Sequence, residues 1–489
     1  MIFNSIAFLI FFIIFFILYW LVFNKNLKLQ NLLILTGSYV FYAWADWRFL
    51  PFLIGVSVLN FFLGIYIEKA INLKYKRLLL YVGLLQGIGG LAFFKYYNFF
   101  ITSFNDAFHS LSINLNLQTL NIIIPLGISF FTFRTISYVL DVDKGKIEAS
   151  KDWVVFFTYV SFFPSLLSGP IDKAKTLVPQ LEKKRVFNYD QTKDGLRQIL
   201  WGLFKKVVIA DNCAEYANTI FNNSANYTGA TLLIGALFFT FQLYCDFSGY
   251  SDMAIGFSRL IGFNITKNFD FPFFAQNIAE FWRKWHISLT SWLTEYVFTP
   301  LNIAFRDYGK MGVILAIIIN ITIMGVWHGA NWNYVLFGFL HGCYFIPLIL
   351  SGTMNKKKKI AKNKLLPSFR EFINVMGTFT LVMLTFIIFR AGTIRHAFTY
   401  LSKIFLTLFT KTSVVEGWNF VYWKIGFALP LLLIFFLFIE WIGREQHYAM
   451  AHLGLKWHKL IRWAMYYSII LLILYYIDGP EKQFIYFQF

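Results

Sequence analysis

The chain has few charged residues. Aspartate, glutamate, lysine and arginine make up 14% of its 489 residues, whereas soluble domains carry about 25%. This scarcity excludes a soluble globular protein, and the 58% hydrophobic content indicates an integral membrane protein. Cysteine is scarce too. Cys213, Cys245 and Cys343 stand singly, so the sequence predicts neither a disulfide framework nor a thiolate metal site.

Acidic residues are outnumbered by basic ones, 25 to 44, which gives a net charge of +19. In a soluble protein that excess would suggest nucleic acid as a partner. Here the basic residues concentrate in short loops between apolar runs, as the positive-inside rule describes. We therefore expect no nucleic-acid partner, and we expect the cytoplasmic loops to attract a phosphorylated substrate.

Long apolar runs supply the membrane elements. They lie near 5–23, 30–45, 50–67, 78–94, 121–140, 152–168, 198–213, 229–245, 311–327, 332–350, 370–390, 396–410, 423–440 and 463–477. The first is expected to be a retained transmembrane helix, because no basic residue precedes it and no small-residue cleavage site follows. Because no internal repeat, long linker or soluble domain interrupts the runs, we expect a single polytopic domain over 1–489.

The basic loops also orient the chain. The lysines after the first apolar run place that end in the cytoplasm and the N-terminus outside. The basic stretch 172–197 is cytoplasmic only if 152–168 is re-entrant. The basic stretch 441–463 is cytoplasmic only if 396–410 does not cross the membrane, and the C-terminus then lies outside. The alternative is that the charge bias is misleading at one of these points. Residues 265–310, polar and aromatic at helical spacing, predict one or two interfacial amphipathic helices on the cytoplasmic side. Residues 98–120 are expected to be external.

His328 is the strongest candidate for chemistry. It follows the apolar run 311–326, and an ionisable side chain at membrane depth is costly unless it lines a wet cavity or reacts. We expect Gly329 and Ala330 to leave room for a ligand beside it. A neutral imidazole suits a general base. The alternative is a core histidine hydrogen-bonded to a neighbouring helix.

Other polar residues are less decisive. His286 is either a second site histidine or an interfacial residue, and helical phase does not decide whether His341 shares a face with His328. The two motif histidines lack metal-ligand spacing and acidic partners, so we expect no metal. Asp246 and Asp252, at a glycine break, predict a kinked polar segment that caps a half-helix, orients an imidazole or carries protons.

Together these segments resemble the membrane-bound O-acyltransferase family. The resemblance is closest to its bacterial branch of alginate and peptidoglycan O-acetyltransferases, related to the D-alanyl transfer protein of teichoic acid synthesis. The stretches that carry it, in order, are Ser161-Phe162-Phe163-Pro164, Ser168-Gly169-Pro170, Tyr244 to Asp252, Asn268-Phe269, Phe281-Trp282-Arg283-Lys284-Trp285-His286-Ile287-Ser288-Leu289, Trp327-His328-Gly329-Ala330-Asn331-Trp332, His341-Gly342 and Phe484 to Phe489.

The resemblance implies a fold and a site. The fold is an all-α ring of about a dozen tilted, re-entrant and interfacial helices around a central funnel or tunnel. His328 is implied to be catalytic and His286 a second functionally important residue. Further residues are expected to bind substrate or line the tunnel: Trp285, Asp246, Ser248, Tyr250, Trp327, Asn331 and Trp332.

The resemblance also implies a reaction in the bacterial cytoplasmic (inner) membrane. Acetyl-CoA serves as donor substrate with no bound cofactor. A periplasmic or membrane-anchored acetyltransferase partner passes the acetyl group to peptidoglycan or an alginate-like polymer. We expect His328 to act as general base, with Asn331 or a backbone N–H stabilising the oxyanion. The rival hypotheses are a polysaccharide or lipid-linked sugar transporter, disfavoured by the missing repeats, and a non-catalytic scaffold.

Overall fold

A computed structural model describes residues 1–356, 359–362, 364–477, 482, 484 and 485. The described residues form helices and connecting loops without a strand, so the chain is an all-α protein. Two compact units are present: residues 1–195 with 254–266, and residues 196–253 with 267–489.

The first unit is built from nine complete helices. They are α1 (Ile6–Ile17), α2 (Leu27–Asp46), α3 (Leu50–Lys69), α4 (Leu73–Leu91), α5 (Tyr97–Ser110), α6 (Ile128–Asp143), α7 (Trp153–Ser161), α8 (Phe163–Leu166) and α9 (Ala174–Leu181). The boundaries between the units fall within α10 (Tyr189–Leu203) and, further along, within α12 (Gly229–Leu260).

The second unit contains the remaining helices. They are α11 (Asp211–Asn222), α13 (Ile278–Lys284), α14 (Ile287–Leu293), α15 (Thr299–Ala304), α16 (Gly309–His328), α17 (Trp332–Cys343), α18 (Ile346–Leu350), α19 (Phe369–Arg390), α20 (Ile394–Thr407), α21 (Lys411–Phe420), α22 (Ala428–Gly443) and α23 (Lys459–Tyr476).

Seven stretches of the described chain are long and apolar enough to cross a membrane. An eighth span results if Lys411–Ile425 and Ala428–Gly443, which meet at a 92° bend, count as one. The prediction of an integral membrane protein made of helices is confirmed. The ring, the funnel and the single domain stay predictions.

Two helix boundaries differ from those of the apolar runs. The run 78–94 continues as helix through α5 to Ser110, because no proline or glycine interrupts the chain between 91 and 110; the external position of 98–120 stays a prediction. The apolar run 121–140 becomes helical only at Ile128, because Pro125 and the left-handed Gly127 (φ +71°) hold the start of the run extended.

The predicted re-entrant segment is broken into two short helices. Neither α7, with 9 residues, nor α8, with 4, approaches the roughly 20 residues needed to cross a bilayer. Gly127 is required beside this break, since a Cβ there would lie 2.7 Å from the carbonyl oxygen of Leu166. Helix α20, with 14 residues, is likewise shorter than a typical span.

Arg134 satisfies the carbonyl groups that this break exposes. It is fully buried on α6, and its guanidinium donates to the carbonyl oxygens of Tyr159 (3.3 Å), Val160 (3.1 Å) and Ser165 (3.0 Å). Such carbonyls have no water to bond in a membrane core, so a forked cation that reaches three of them makes the broken helix tolerable.

Replacing Arg134 is therefore expected to destabilise the first unit. Arg134→Met leaves three buried carbonyls unpaired and should cost on the order of 3 kcal/mol, seen as a lower melting temperature in detergent. The melting temperature of Arg134→Lys should lie between those of the wild type and Arg134→Met, since one ammonium cannot reproduce the forked hydrogen bonds of a guanidinium. The exposed Arg48, which pairs with Asp46, supplies the control variant Arg48→Met, whose melting temperature should not change. A melting temperature for Arg134→Met equal to that of the control would contradict the assignment.

Candidate active site

His286 lies in a strained turn between two short helices. Helix α13 ends at Lys284, Trp285 is extended, and His286 adopts the left-handed conformation (φ 46°, ψ 53°) before α14 begins. Few non-glycine residues adopt this region. The imidazole caps α14, with Nδ1 accepting the backbone N–H of Leu289 at 3.4 Å. The turn therefore fixes both the backbone and the ring of His286.

The side chain of Asn268 holds this turn in place. Its Oδ1 accepts the backbone N–H of Ser288 at 3.2 Å and the Ser288 hydroxyl at 2.9 Å. Its Nδ2 donates to the Ser251 hydroxyl on α12 at 3.2 Å, and its carbonyl oxygen accepts from Ile287 at 2.8 Å. Asn268 is fully buried. It had been named only within a motif, because nothing local to the sequence shows that its amide reaches α12 and α14.

His286 is a neutral imidazole. Burial lowers its pKa from 6.5 to about 3, because the charged form would lose its hydration. Since Nδ1 accepts a hydrogen bond, the single ring proton resides on Nε2. The ring is 1% exposed, which rules out an interfacial residue that reaches lipid headgroups.

The tryptophans around His286 are buried. Trp282, Trp285 and Trp292 are each 5% exposed or less. Trp285 packs within 5.1 Å of Phe269 and 5.4 Å of Phe281, measured between ring centroids. The tryptophans of this segment pack against protein, and the interfacial helices expected over 265–310 stay a prediction, since aromatic residues at helical spacing also suit short helices inside a protein.

His328 ends the long apolar helix α16 and is 5% exposed. Its ring lies edge-on to Trp327 at 5.0 Å and to Phe389 at 5.2 Å. The expected space beside it is occupied differently, since a Cβ on Gly329 would lie 2.3 Å from the Tyr334 ring. Gly329 thus admits a protein side chain rather than a ligand.

Trp327 joins the two motif histidines. Its ring centroid is 5.5 Å from that of His286 and 5.0 Å from that of His328. Phe247 of α12 covers the other side of His286 at 4.6 Å. Residues more than forty positions apart in the sequence therefore form one buried cluster. We call His286, Trp327 and His328 the imidazole cluster.

His341 lies next to this cluster. Its ring is 4.5 Å from Phe337, which is also 6.3 Å from His328. Trp282 donates its indole N–H to Nδ1 of His341 at 3.3 Å, so the neutral ring carries its proton on Nε2. The position of His341, which helical phase left open, is thus one aromatic ring away from His328.

Asn331 and Trp332 take structural positions. Asn331 caps α17, its Oδ1 accepting the Asn333 N–H at 2.9 Å, and its Nδ2 points to the Gly392 carbonyl oxygen at 3.4 Å. Trp332 is 54% exposed. Because the Asn331 side chain is engaged at Asn333 and Gly392, a nearby backbone N–H is the better of the two oxyanion donors that the sequence suggested.

Asp246 and Ser248 belong to a buried ionic network. The Lys206 ammonium lies 2.7 Å from Asp246 and 2.9 Å from Asp211. The Lys205 ammonium lies 2.5 Å from Asp252 and donates to the Ser248 hydroxyl at 3.0 Å. Neither lysine was predicted as a site residue, although two cations inside the apolar run 198–213 were a usable signal.

Helix α12, which carries Asp246 and Asp252, is continuous. The sequence predicted a kink at Gly249, but α12 runs unbroken for 32 residues. Gly249 instead allows close packing, since a Cβ there would lie 2.8 Å from the carbonyl oxygen of Gly202.

The chain's C-terminal residues dock onto this network. Phe484 lies 4.8 Å from the Tyr250 ring and 4.5 Å from the Lys206 ammonium. The Ile485 N–H donates to Asp246 at 2.7 Å. The rest of the predicted motif, 486–489, lies outside the described residues. Tyr250 and Asp246 thus contact protein here.

A cavity of about 780 Å³ adjoins the His286 segment. Helix α13, residues 356, 359, 360 and 362, and loop 444–446 contribute to its walls, and four carboxylates accompany its basic residues. The basic residues are Arg283, Lys284, Lys356, Lys359, Lys362 and Arg444. We call this the cationic cavity. Across the described part of the chain, no group of histidines, cysteines or carboxylates could hold a metal ion.

The pKa of His286 predicts an acid-sensitive fold. Between about pH 6.5 and 3 the unfolded chain takes up a proton that the folded chain excludes, so this residue's contribution falls by about 1.4 kcal/mol per pH unit on acidification. His286→Asn should remove that slope while keeping the fold, because asparagine tolerates φ > 0 and caps helices.

The measurement is melting temperature in detergent from pH 7.5 to 5. His286→Val, which neither caps α14 nor tolerates the turn, should melt lower at every pH. An unchanged pH slope in His286→Asn would show that this imidazole is not buried and neutral.

Comparison with known proteins finds relatives that are named as acyl-transferring enzymes. The sequence model of the membrane-bound O-acyltransferase family (MBOAT) matches residues 150–389. A "Probable alginate O-acetylase AlgI" of Azotobacter vinelandii is 36% identical over 410 residues, 83% of this chain and 78% of that protein. A "Peptidoglycan O-acetyltransferase" of Helicobacter pylori is 34% identical over 399 residues, 76% of this chain and 73% of that protein.

A more distant relative is a "Teichoic acid D-alanyltransferase" of Streptococcus thermophilus. It is 32% identical over 289 residues, 54% of this chain and 68% of that protein. The family resemblance expected from the motifs is confirmed. With such similarity over most of its length, the chain belongs to the membrane-bound O-acyltransferase family and is an acyltransferase.

Proposed function

We propose that this protein is a membrane O-acetyltransferase that moves an acetyl group from cytoplasmic acetyl-CoA to hydroxyl groups of a cell-envelope polysaccharide. The imidazole cluster carries the proposal, because it brings two histidines against one indole inside an apolar unit. Buried ionisable residues in membrane proteins usually serve function. The names of two relatives, an alginate O-acetylase and a peptidoglycan O-acetyltransferase, support acetyl transfer to a polysaccharide.

His328 acts as the general base in this proposal. The acceptor hydroxyl loses its proton to the imidazole while its oxygen attacks the thioester carbonyl, forming the ester C–O bond. The C–S bond then breaks, and the imidazolium returns the proton to the departing thiolate of coenzyme A. No oxidant, reductant or metal is needed, and a neutral imidazole has a suitable proton affinity at physiological pH.

His286 serves as a donor rather than a base. Its Nδ1 is committed to the Leu289 N–H, and its ring proton is on Nε2. A buried N–H donor of fixed orientation stabilises negative charge as that charge develops on the carbonyl oxygen. The low pKa of His286 keeps its imidazole neutral. The donor therefore carries no positive charge that would need a counter-ion before the oxyanion forms.

Location and partners follow from the same proposal. The protein spans the bacterial cytoplasmic (inner) membrane with both termini outside. Its basic cytoplasmic loops attract the phosphates of acetyl-CoA, which is a substrate and not a bound cofactor. A periplasmic or membrane-anchored acetyltransferase partner delivers the group to the glycan, with peptidoglycan favoured and an alginate-like polymer as the other acceptor.

A transporter is the second candidate. The buried pairs Lys205–Asp252 and Lys206–Asp246 are the observation in its favour, since transporters couple transport to such charges. Thioester cleavage distinguishes the two, because only an acyltransferase releases coenzyme A when a hydroxyl acceptor is supplied.

Loss of His328 should abolish this reaction while the fold persists. Removing a general base typically costs about 10²–10⁴-fold in rate, so His328→Ala in proteoliposomes should release coenzyme A from acetyl-CoA and an oligosaccharide acceptor at that reduced rate. The exposed His452 supplies the matched control, and His452→Ala should keep the full rate. Wild-type turnover in a normally melting His328→Ala protein would remove His328 from the mechanism.

A further inference from the structure

A deep apolar groove lies in the second unit. Its volume is about 790 Å³, within the range of small-molecule sites. Helices α12, α19 and α22 form its walls through side chains such as Phe241, Phe379 and Ile434. Because α12 and α19 are candidate membrane spans, the groove lies at the depth of lipid tails.

The groove and the cationic cavity meet along a shared wall. Ile360 lines both spaces. On α19 the neighbours Glu371 and Phe372 line the cavity and the groove respectively. The Arg444 guanidinium, in the cavity, lies 4.2 Å from the Trp441 ring, in the groove. The two spaces therefore adjoin, and together they offer an apolar end and an end rich in basic residues.

Three of the cavity's lysines, Lys356, Lys359 and Lys362, remain available for an anion. Lys284 pairs with Glu280 at 2.8 Å, and Arg283 donates to the Met354 carbonyl oxygen at 3.1 Å. Within the described residues, these three lysines make no ion pair or side-chain hydrogen bond. A phosphate group at this end would gain their ammonium groups as partners.

We propose that this space binds one anionic glycerophospholipid of the cytoplasmic leaflet, with an acyl chain in the groove and the phosphate beside Lys359 and Lys362. Coenzyme A carries the same phosphate chemistry but has nothing to fill an apolar groove. A lipid fills both ends and is always present at that depth. Basic pockets beside membrane helices on the cytoplasmic side recognise anionic headgroups, and that leaflet is negatively charged.

The test uses the full-length protein in lipid nanodiscs and native mass spectrometry of the protein released from them. Discs of phosphatidylcholine alone are compared with discs that contain phosphatidylcholine and phosphatidylglycerol in equal parts. We expect phosphatidylglycerol to be retained in preference to phosphatidylcholine. Equal retention of the two lipids would overturn the proposal, as would displacement of phosphatidylglycerol by added coenzyme A, because the phosphate site would then belong to the nucleotide.

Two variants locate the lipid. Lys359→Gln with Lys362→Gln should weaken phosphatidylglycerol binding about thirtyfold, at about one tenfold step per 1.4 kcal/mol. Ile434→Trp should fill the groove and reduce retention of any acyl chain. Matched controls are Lys456→Gln with Lys459→Gln, and Leu431→Trp on the same helix, which line neither space. Unchanged binding in the test variants, at melting temperatures equal to the controls, would overturn the proposal.

Discussion

The buried amide of Asn268 is the contact on which the candidate site depends. It bonds the backbone and hydroxyl of Ser288 and the hydroxyl of Ser251, and so fixes the left-handed turn at His286 to the long helix α12. A residue at φ 46° persists only where its surroundings hold it. The turn places the His286 ring against Trp327, and Trp327 also contacts His328.

The same rule governs both units: a polar group inside a membrane protein must find its partner inside the protein. In the first unit Arg134 supplies donors to the carbonyls of a broken helix. In the second, Lys205 and Lys206 neutralise carboxylates on α12. In both units a buried charge is therefore held by partners on another segment of the same unit.

Much of the fold was readable from the sequence, since apolar runs and their breaks correspond to α1–α4, α12, α16, α17 and α19. The motif histidines were also predicted. The partners of Asp246, the role of Asn268 and the Tyr334 ring beside Gly329 were not, because each depends on residues distant in sequence. Amphipathic spacing likewise could not show that Trp282 and Trp285 are buried against protein, because the same spacing suits an interfacial helix.

The central claim is that His286 and His328 act in one reaction centre. A double-mutant cycle on acetyl-CoA turnover tests it most directly, using His286→Asn, His328→Gln and the combined variant. Residues that act as a unit show strongly non-additive losses, so the account predicts that the combined variant is no slower than the slower single variant. Losses that multiply, each variant lowering the rate by its own factor, would show two independent residues and contradict the account.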